Sequence, residues 1–216
     1  MSDVDRYADI HASWRWDVPA DFNIAHACCT RWANDRARFA MYFEDEDGTH
    51  AAYSFFDLSQ QANRLSNALA GYGIGRGDRV ALILPQRPET AIAHIAIHQL
   101  GAVSVPLSFL FGPEALEYRL ANSEAKAVFV DPQSLPNLLP IRERCEKLAH
   151  VIGVAGAQSR GVVAYETLID GASRHFDAVK TRADDPAILI YTSGTTGIRS
   201  RATFSGRRRI GRGPAD

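Results

Sequence analysis

Residues 188–197 read ILIYTSGTTG: a largely apolar run, Ile188, Leu189, Ile190 and Tyr191, breaks without transition into Thr192, Ser193, Gly194, Thr195, Thr196 and Gly197. The first four suit a strand covered on both faces, and the six that follow cannot continue it. Gly194 and Gly197 tolerate positive φ, so successive backbone N–H groups can converge on one concavity. Hydroxyls on Thr192, Ser193, Thr195 and Thr196 add donors that rotate to suit a ligand. At the carboxyl end of a parallel strand such a loop suits phosphate oxygens, although the same residues taken alone also make an ordinary surface turn. A Walker loop is excluded, because its second glycine would fall five positions after Gly194, where the chain has Arg199.

Upstream of this stretch, short apolar runs at 79–84, 103–106, 127–130 and 151–154 read as strands, and the segments 88–100, 113–122 and 141–148 read as helices. That alternation predicts an α/β fold with a mostly parallel sheet and crossover helices. Residues 131–140 hold three prolines and read as a loop, 153–161 as a surface excursion, and 162–168 as the lead into a helical piece ending near Gly171. Nearer the start, Asp47-Gly48 between the runs 39–43 and 49–53 predicts an early hairpin. A helix with a buried face follows Pro19, marked by Phe22, Ile24, Ala25, Cys28, Cys29 and Trp32. Ser54 and Asp57 form a capping box ahead of Leu58, Ala62, Leu65 and Leu69, which line one face of a second helix. The glycines of GYGIGRG at 71–77 miss the dinucleotide pattern in both registers and follow a helix, so they read as a helix stop.

The other candidate sites read as structure. Glu44, Asp45, Glu46 and Asp47 lack the alternating ligands of a calcium loop and form a solvated turn. His94 and His98 sit one helical turn apart with no third ligand in sight, which makes them packing or surface histidines and leaves the metal set empty. Cys28 and Cys29 are adjacent and Cys145 stands alone, so all three read as reduced thiols of a cytoplasmic protein. The acid-containing start MSDVDRYADIHASWRWD reads as neither a secretory signal nor a transit peptide, and no apolar run is long enough to span a membrane.

YTSGTTG preceded by DDPAILI resembles the signature of the adenylate-forming superfamily. WDVPADFNIAHACCTRWA at 16–33, YSFFDLSQQANRLSNALAGYGIGRGDRVALILPQRPE at 53–89 and GAVSVPLSFLFGPEALEYRLANSEAKAVFVD at 101–131 narrow the resemblance to acyl-CoA synthetases of the medium-chain and acetate type. The resemblance implies ATP, Mg2+ and coenzyme A as cofactors and a small-molecule carboxylic acid as substrate. An acyl-adenylate forms first, and the coenzyme A thiol then displaces AMP. It assigns Thr192, Ser193, Gly194, Thr195, Thr196 and Gly197 to the cradle for the ATP phosphates. It names no catalytic residue here, since the family's acyl pocket, adenine site and adenylation lysine lie downstream of the loop. Residues 17–197 are thus expected to be an incomplete amino-terminal part of the large domain, preceded by an extension at 1–16. The chain by itself would bind none of these cofactors productively. A non-catalytic nucleotide- or phosphate-binding module is the alternative.

The resemblance stops at one residue. Where the family continues with Pro-Lys-Gly, the chain has Arg199, Ser200 and Arg201. Residues 1–197 carry 18 basic and 24 acidic side chains, whereas 198–216 carry six arginines and one acid, against a whole-chain net charge of −1. This tail reads as out-of-frame translation or disorder; the competing reading is an interaction protein whose basic tail holds an acidic partner or nucleic acid. Nucleic acid is the weaker of these, because Phe204 is the tail's lone aromatic residue. On the out-of-frame reading the strand at 188–191 loses its neighbour, and self-association through its exposed edge is expected. Reading the coding sequence after Gly197 in the other two frames checks this: one frame encodes a Pro-Lys-Gly continuation, and three frames without it sink the idea.

Overall fold

The computed structural model describes residues 6–15 and 17–192 and the backbone of 201–205. Helix α1 (Arg6–Ser13) lies within the segment read from sequence as an extension, and α2 (Ile24–Cys28) follows it. The helix expected through Trp32 stops early, since Cys29 takes φ −135° and ψ −66° and a short 3-10 turn, Thr30–Trp32, succeeds it. Within α2 and that turn only Ala25 is buried, with Cys29 at the junction, so the apolar spacing marks two contacts and not a long buried face. Strands β1 (Phe39–Glu44) and β2 (His50–Ser54) make a separate antiparallel hairpin whose turn holds Gly48 at φ +77°.

Ser54 then caps α3 (Phe55–Gly71): its hydroxyl accepts from the Asp57 N–H at 3.2 Å, and the Asp57 carboxylate accepts from the Ser54 N–H at 2.9 Å. The alternation that follows is β3 (Arg79–Ile83), α4 (Pro88–Gln99), β4 (Val103–Pro106), α5 (Pro113–Ser123), β5 (Ala127–Val130), α6 (Leu135–Leu138), β6 (His150–Gly153), β7 (Val162–Ala164), α7 (Tyr165–Ile169), β8 (Pro186–Tyr191) and β9 (Arg201–Ser205). Residues 131–148 differ from expectation, with α6 and a 3-10 turn, Leu139–Arg144, replacing a loop and a helix. Pro136 and Pro140 each sit in the first turn of one piece, where no N–H is needed and the fixed φ already suits a helix.

Strands β3 to β8 are parallel in the order β7-β6-β5-β3-β4-β8, and β9 adds antiparallel beside β8. Val80, Leu82, Ala127, Phe129 and Ile152 pack on one face with Leu65 and Leu69 of α3 and Ile92 and Ile97 of α4. Ala81, Ile83, Val128, Val130 and Val151 pack on the other with Leu116 and Leu120 of α5, Leu138 and Ile141. The open edge expected at 188–191 is occupied, with Ile188 opposite Phe204 and Tyr191 opposite Arg201. Ala202, Thr203 and Phe204 form a short β-prone segment that the arginine content of the tail conceals, and an apolar edge is a ready template for it.

Residues 170–185 return across α3 and α4 to start β8, held by polar groups. The Gln99 amide nitrogen donates to the Asn63 side-chain oxygen at 2.8 Å, and the Ser66 hydroxyl donates to the Gln99 oxygen at 2.6 Å. Asn63 donates to the Arg174 carbonyl at 2.9 Å, and Asn67 to the carbonyls of Ser173 and His175. Gln99→Leu strands the partners of a buried amide, so a loss of about 2–4 kcal/mol is expected, read as a lower urea midpoint at unchanged slope.

Candidate functional site

The chain enters the sheet at β3, adds β4 on one side, then returns to add β5 on the other. Loops leaving neighbouring strands on opposite sides of such a reversal open a crevice at their carboxyl ends. A cleft of about 780 Å³ opens there, walled by Leu84 to Arg87 after β3, Pro106 to Phe109 after β4, Ile190 of β8, Thr90, Ala91 and His94 of α4, and Met41 to Phe43 of the hairpin. Its lining is mainly apolar, with a few fixed polar groups. Arg87 Nε lies 2.7 Å from Glu89 Oε2, and that bond holds the guanidinium charged above its ordinary range. The Thr90 hydroxyl donates to the Pro85 carbonyl at 2.8 Å, fixing the turn from β3 into α4.

Tyr191 ends β8 beside this cleft. Its hydroxyl bonds the Asn122 side-chain oxygen at 2.8 Å and the Arg119 carbonyl at 3.2 Å, and its ring meets Tyr118 edge-on at 6.3 Å. The Arg119 guanidinium lies 4.1 Å from the Phe111 ring centre and 5.7 Å from that of Tyr191. The last residue of the strand is therefore clamped to α5, which sets where the following loop departs. Of the residues assigned to the phosphate cradle, Thr192 lies at this exit and is exposed. Ser193, Gly194, Thr195, Thr196 and Gly197 lie outside the described residues.

A family profile described as "AMP-binding enzyme" matches residues 29–199. The chain belongs to the AMP-binding enzyme family. An acetyl-coenzyme A synthetase of Streptomyces coelicolor is 32% identical over 201 residues, which cover 85% of this chain and 31% of that protein. The mitochondrial acyl-coenzyme A synthetase ACSM5 of Homo sapiens is 29% identical over 187 residues, covering 83% and 32%. A crystal structure of a Brucella canis acyl-CoA synthetase superposes with TM-score 0.83 at 26% identity, over 94% of this chain and 38% of that one. The anthranilate CoA ligase AuaEII in complex with anthranoyl-AMP superposes with TM-score 0.77 at 26% identity, over 88% and 36%. The chain thus spans about a third of the length of these AMP-binding relatives.

The structure also places the other residues singled out by sequence. Asp45 Oδ1 accepts from the N–H groups of Asp47 and Thr49 at 3.1 and 2.8 Å, closing the hairpin turn. The His94 and His98 rings lie 6.1 Å apart, and among the described residues no three His, Cys, Asp or Glu side chains gather as a metal site. Among those residues, too, no helix is long and apolar enough to cross a membrane. Cys29 and Cys145 are buried free thiols, Cys28 is exposed, and burial pushes the Cys29 thiol up to about 11. Sequence reasoning missed the Arg119–Tyr191 clamp and the cleft walls. No local pattern joins residues 72 positions apart, nor places a hairpin beside a distant sheet.

His98 is 7% exposed, and burial, then the neighbouring His94, lowers its pKa from 6.5 to about 4. The unfolded chain therefore binds a proton before the folded one does. Stability contributed by neutral His98 is full above about pH 6.5 and is lost as pH falls toward about 4, by on the order of 3 kcal/mol. Urea midpoints across that window should fall less steeply for His98→Gln than for the parent chain; equal slopes would remove the assignment.

Proposed function

We propose that this chain supplies part of the ATP- and acid-binding site of an acid–CoA ligase. The observation that carries the reading is the AMP-binding match over residues 29–199 together with Thr192 exposed at the carboxyl end of β8, beside the cleft. In that reaction a carboxylate oxygen attacks the α-phosphorus of ATP, and pyrophosphate leaves. The thiol of coenzyme A then adds to the acyl carbonyl, and AMP leaves. Residues 192–197 are assigned as donors toward the β and γ phosphates, where converging N–H groups and hydroxyls offset the charge that builds on the leaving pyrophosphate. The apolar walls from Met41, Phe43, Leu84 and Leu107 are assigned to keep water from the activated acyl group. The acid is of the acetate to medium-chain class, and the compartment is the cytoplasm.

AMP-binding enzymes also use Mg2+, and the described residues hold no cluster of three His, Cys, Asp or Glu side chains for it. The chain's lysines, Lys126, Lys147 and Lys180, all precede strands, on the amino side of β5, β6 and β8. None is placed to reach phosphates at the carboxyl ends. These features support a chain that does not complete adenylation unaided. Acid-dependent exchange of labelled pyrophosphate into ATP, tried with acetate, butyrate and octanoate, should stay at the blank for the 216-residue chain and appear when residues 198–216 are replaced by the downstream part of the Streptomyces coelicolor relative. Exchange by the 216-residue chain alone overturns the reading that it does not complete adenylation unaided. A folded chimera that exchanges with no acid overturns the ligase reading.

A further inference from the structure

The hairpin is a two-stranded sheet of its own, and among the described residues no backbone hydrogen bond reaches the edge of β1 that faces away from β2. That edge carries no lysine and no proline. It does carry a pair of aromatic rings in contact, Phe39 and Tyr42, 4.3 Å apart and 50% and 78% exposed. A bulge near Ala40 leaves Met41 to Glu44 in regular register with β2. An exposed, apolar, regular strand edge is a pairing template.

Charge is divided along this strand. Just before it stand Arg31, Arg36 and Arg38, all exposed, with Arg31 and Arg38 held 4.3 and 3.9 Å from the centre of the Trp32 ring and Arg36 held 4.6 Å from that of Phe56. Just after it stand Glu44, Asp45, Glu46 and Asp47, also exposed. None of these seven side chains has an ion-pair partner among the described residues.

We propose that β1 pairs with β1 of a second copy of this chain about a two-fold axis, forming a four-stranded sheet from two hairpins. Antiparallel pairing with the axis at Met41 or at Tyr42 brings Arg38 of each copy opposite Glu44 or Glu46 of the other. In each of those registers the basic start of one strand meets the acidic turn of its neighbour twice, and the aromatic pairs meet near the axis. The surface is self-complementary, as a two-fold interface must be. Its small area makes the association weak, and its charges make it sensitive to salt. The inference does not rest on the ligase reading, although Met41, Tyr42 and Phe43 of this strand also line the cleft.

Sedimentation equilibrium of the full chain tests it. The parent chain should dimerise at concentrations up to about 0.5 mM in low salt and weaken in about 1 M salt. Arg36→Glu with Arg38→Glu, and separately Glu44→Arg with Glu46→Arg, should each be monomeric, while an equimolar mixture of the two variants regains the dimer. Asp45 is spared because it closes the turn. Tyr42→Lys, at a side chain 78% exposed, should also abolish the dimer without altering the thermal melt, which covers the case in which a charge-reversed variant fails to fold. A parent chain that stays monomeric, a dimer that survives both reversals and Tyr42→Lys, or folded variants whose mixture stays monomeric would each overturn the proposal.

Discussion

Strands β3 and β5 lie side by side at the centre of the sheet and are buried on both faces; Val80, Ala81, Leu82, Ile83, Ala127, Val128, Phe129 and Val130 are each at most 2% exposed. Burial of each larger side chain is worth about 1.5–3 kcal/mol, so two such strands demand a helical layer above and another below. The parallel arrangement supplies both. With right-handed crossovers, moving from β3 to β4 places α4 on one face, and doubling back from β4 to β5 places α5 on the other. The same reversal separates the loops at the carboxyl ends and opens the cleft between them.

A second constraint is polar. Strand β8, which delivers Thr192, is reached through residues 170–185, a segment without a helix that crosses the outside of α3 and α4. Hydrophobic pattern does little to position such a segment, and buried amides take over. Gln99, Asn63 and Ser66 satisfy one another between the helices, Asn63 and Asn67 hold the carbonyls of residues 173–175, and Asn23 joins the carbonyls of His98 and Val179 at 2.9 and 3.0 Å. Thr181 bonds the Phe22 carbonyl at 2.7 Å, and Arg76 meets Asp185 at 2.6 Å just before β8 begins. A buried polar group without a partner is costly, so the bonds of Asn63, Ser66 and Gln99 also exclude alternative paths for the segment.

The hairpin shows how the candidate site depends on parts remote in sequence. Its Met41, Tyr42 and Phe43 wall the cleft opposite the loop after β4, although some sixty residues separate the two walls. Arginine serves these junctions differently from place to place. Arg119 packs against Phe111 and Tyr191 inside the structure, whereas Arg31 and Arg38 stack on Trp32 at the surface and keep N–H groups in water. A planar, weakly hydrated cation can do both, which an ammonium group does poorly.

Most of the fold was legible because its signals are local. Strands 103–106 and 127–130, the capping box at Ser54 and Asp57, and the Asp-Gly hairpin follow from apolar runs, one hydrogen-bond pair and one positive φ. The residues of the family signature likewise pointed to the family from sequence alone. The early end of α2 and the proline-started turns at 135–144 were not legible, since they depend on a single backbone rotation at Cys29 and on where a ring can begin a helix. The partner of β8 was hidden for a related reason: Ala202-Thr203-Phe204 is too short to stand out among arginines and pairs only when an apolar edge is presented to it. The sequence by itself determined most of the strands and helices and the family. Strand order, the clamp on Tyr191 and the cleft were decided only by tertiary structure, because each joins residues that touch after the sheet has closed its two helical layers around them.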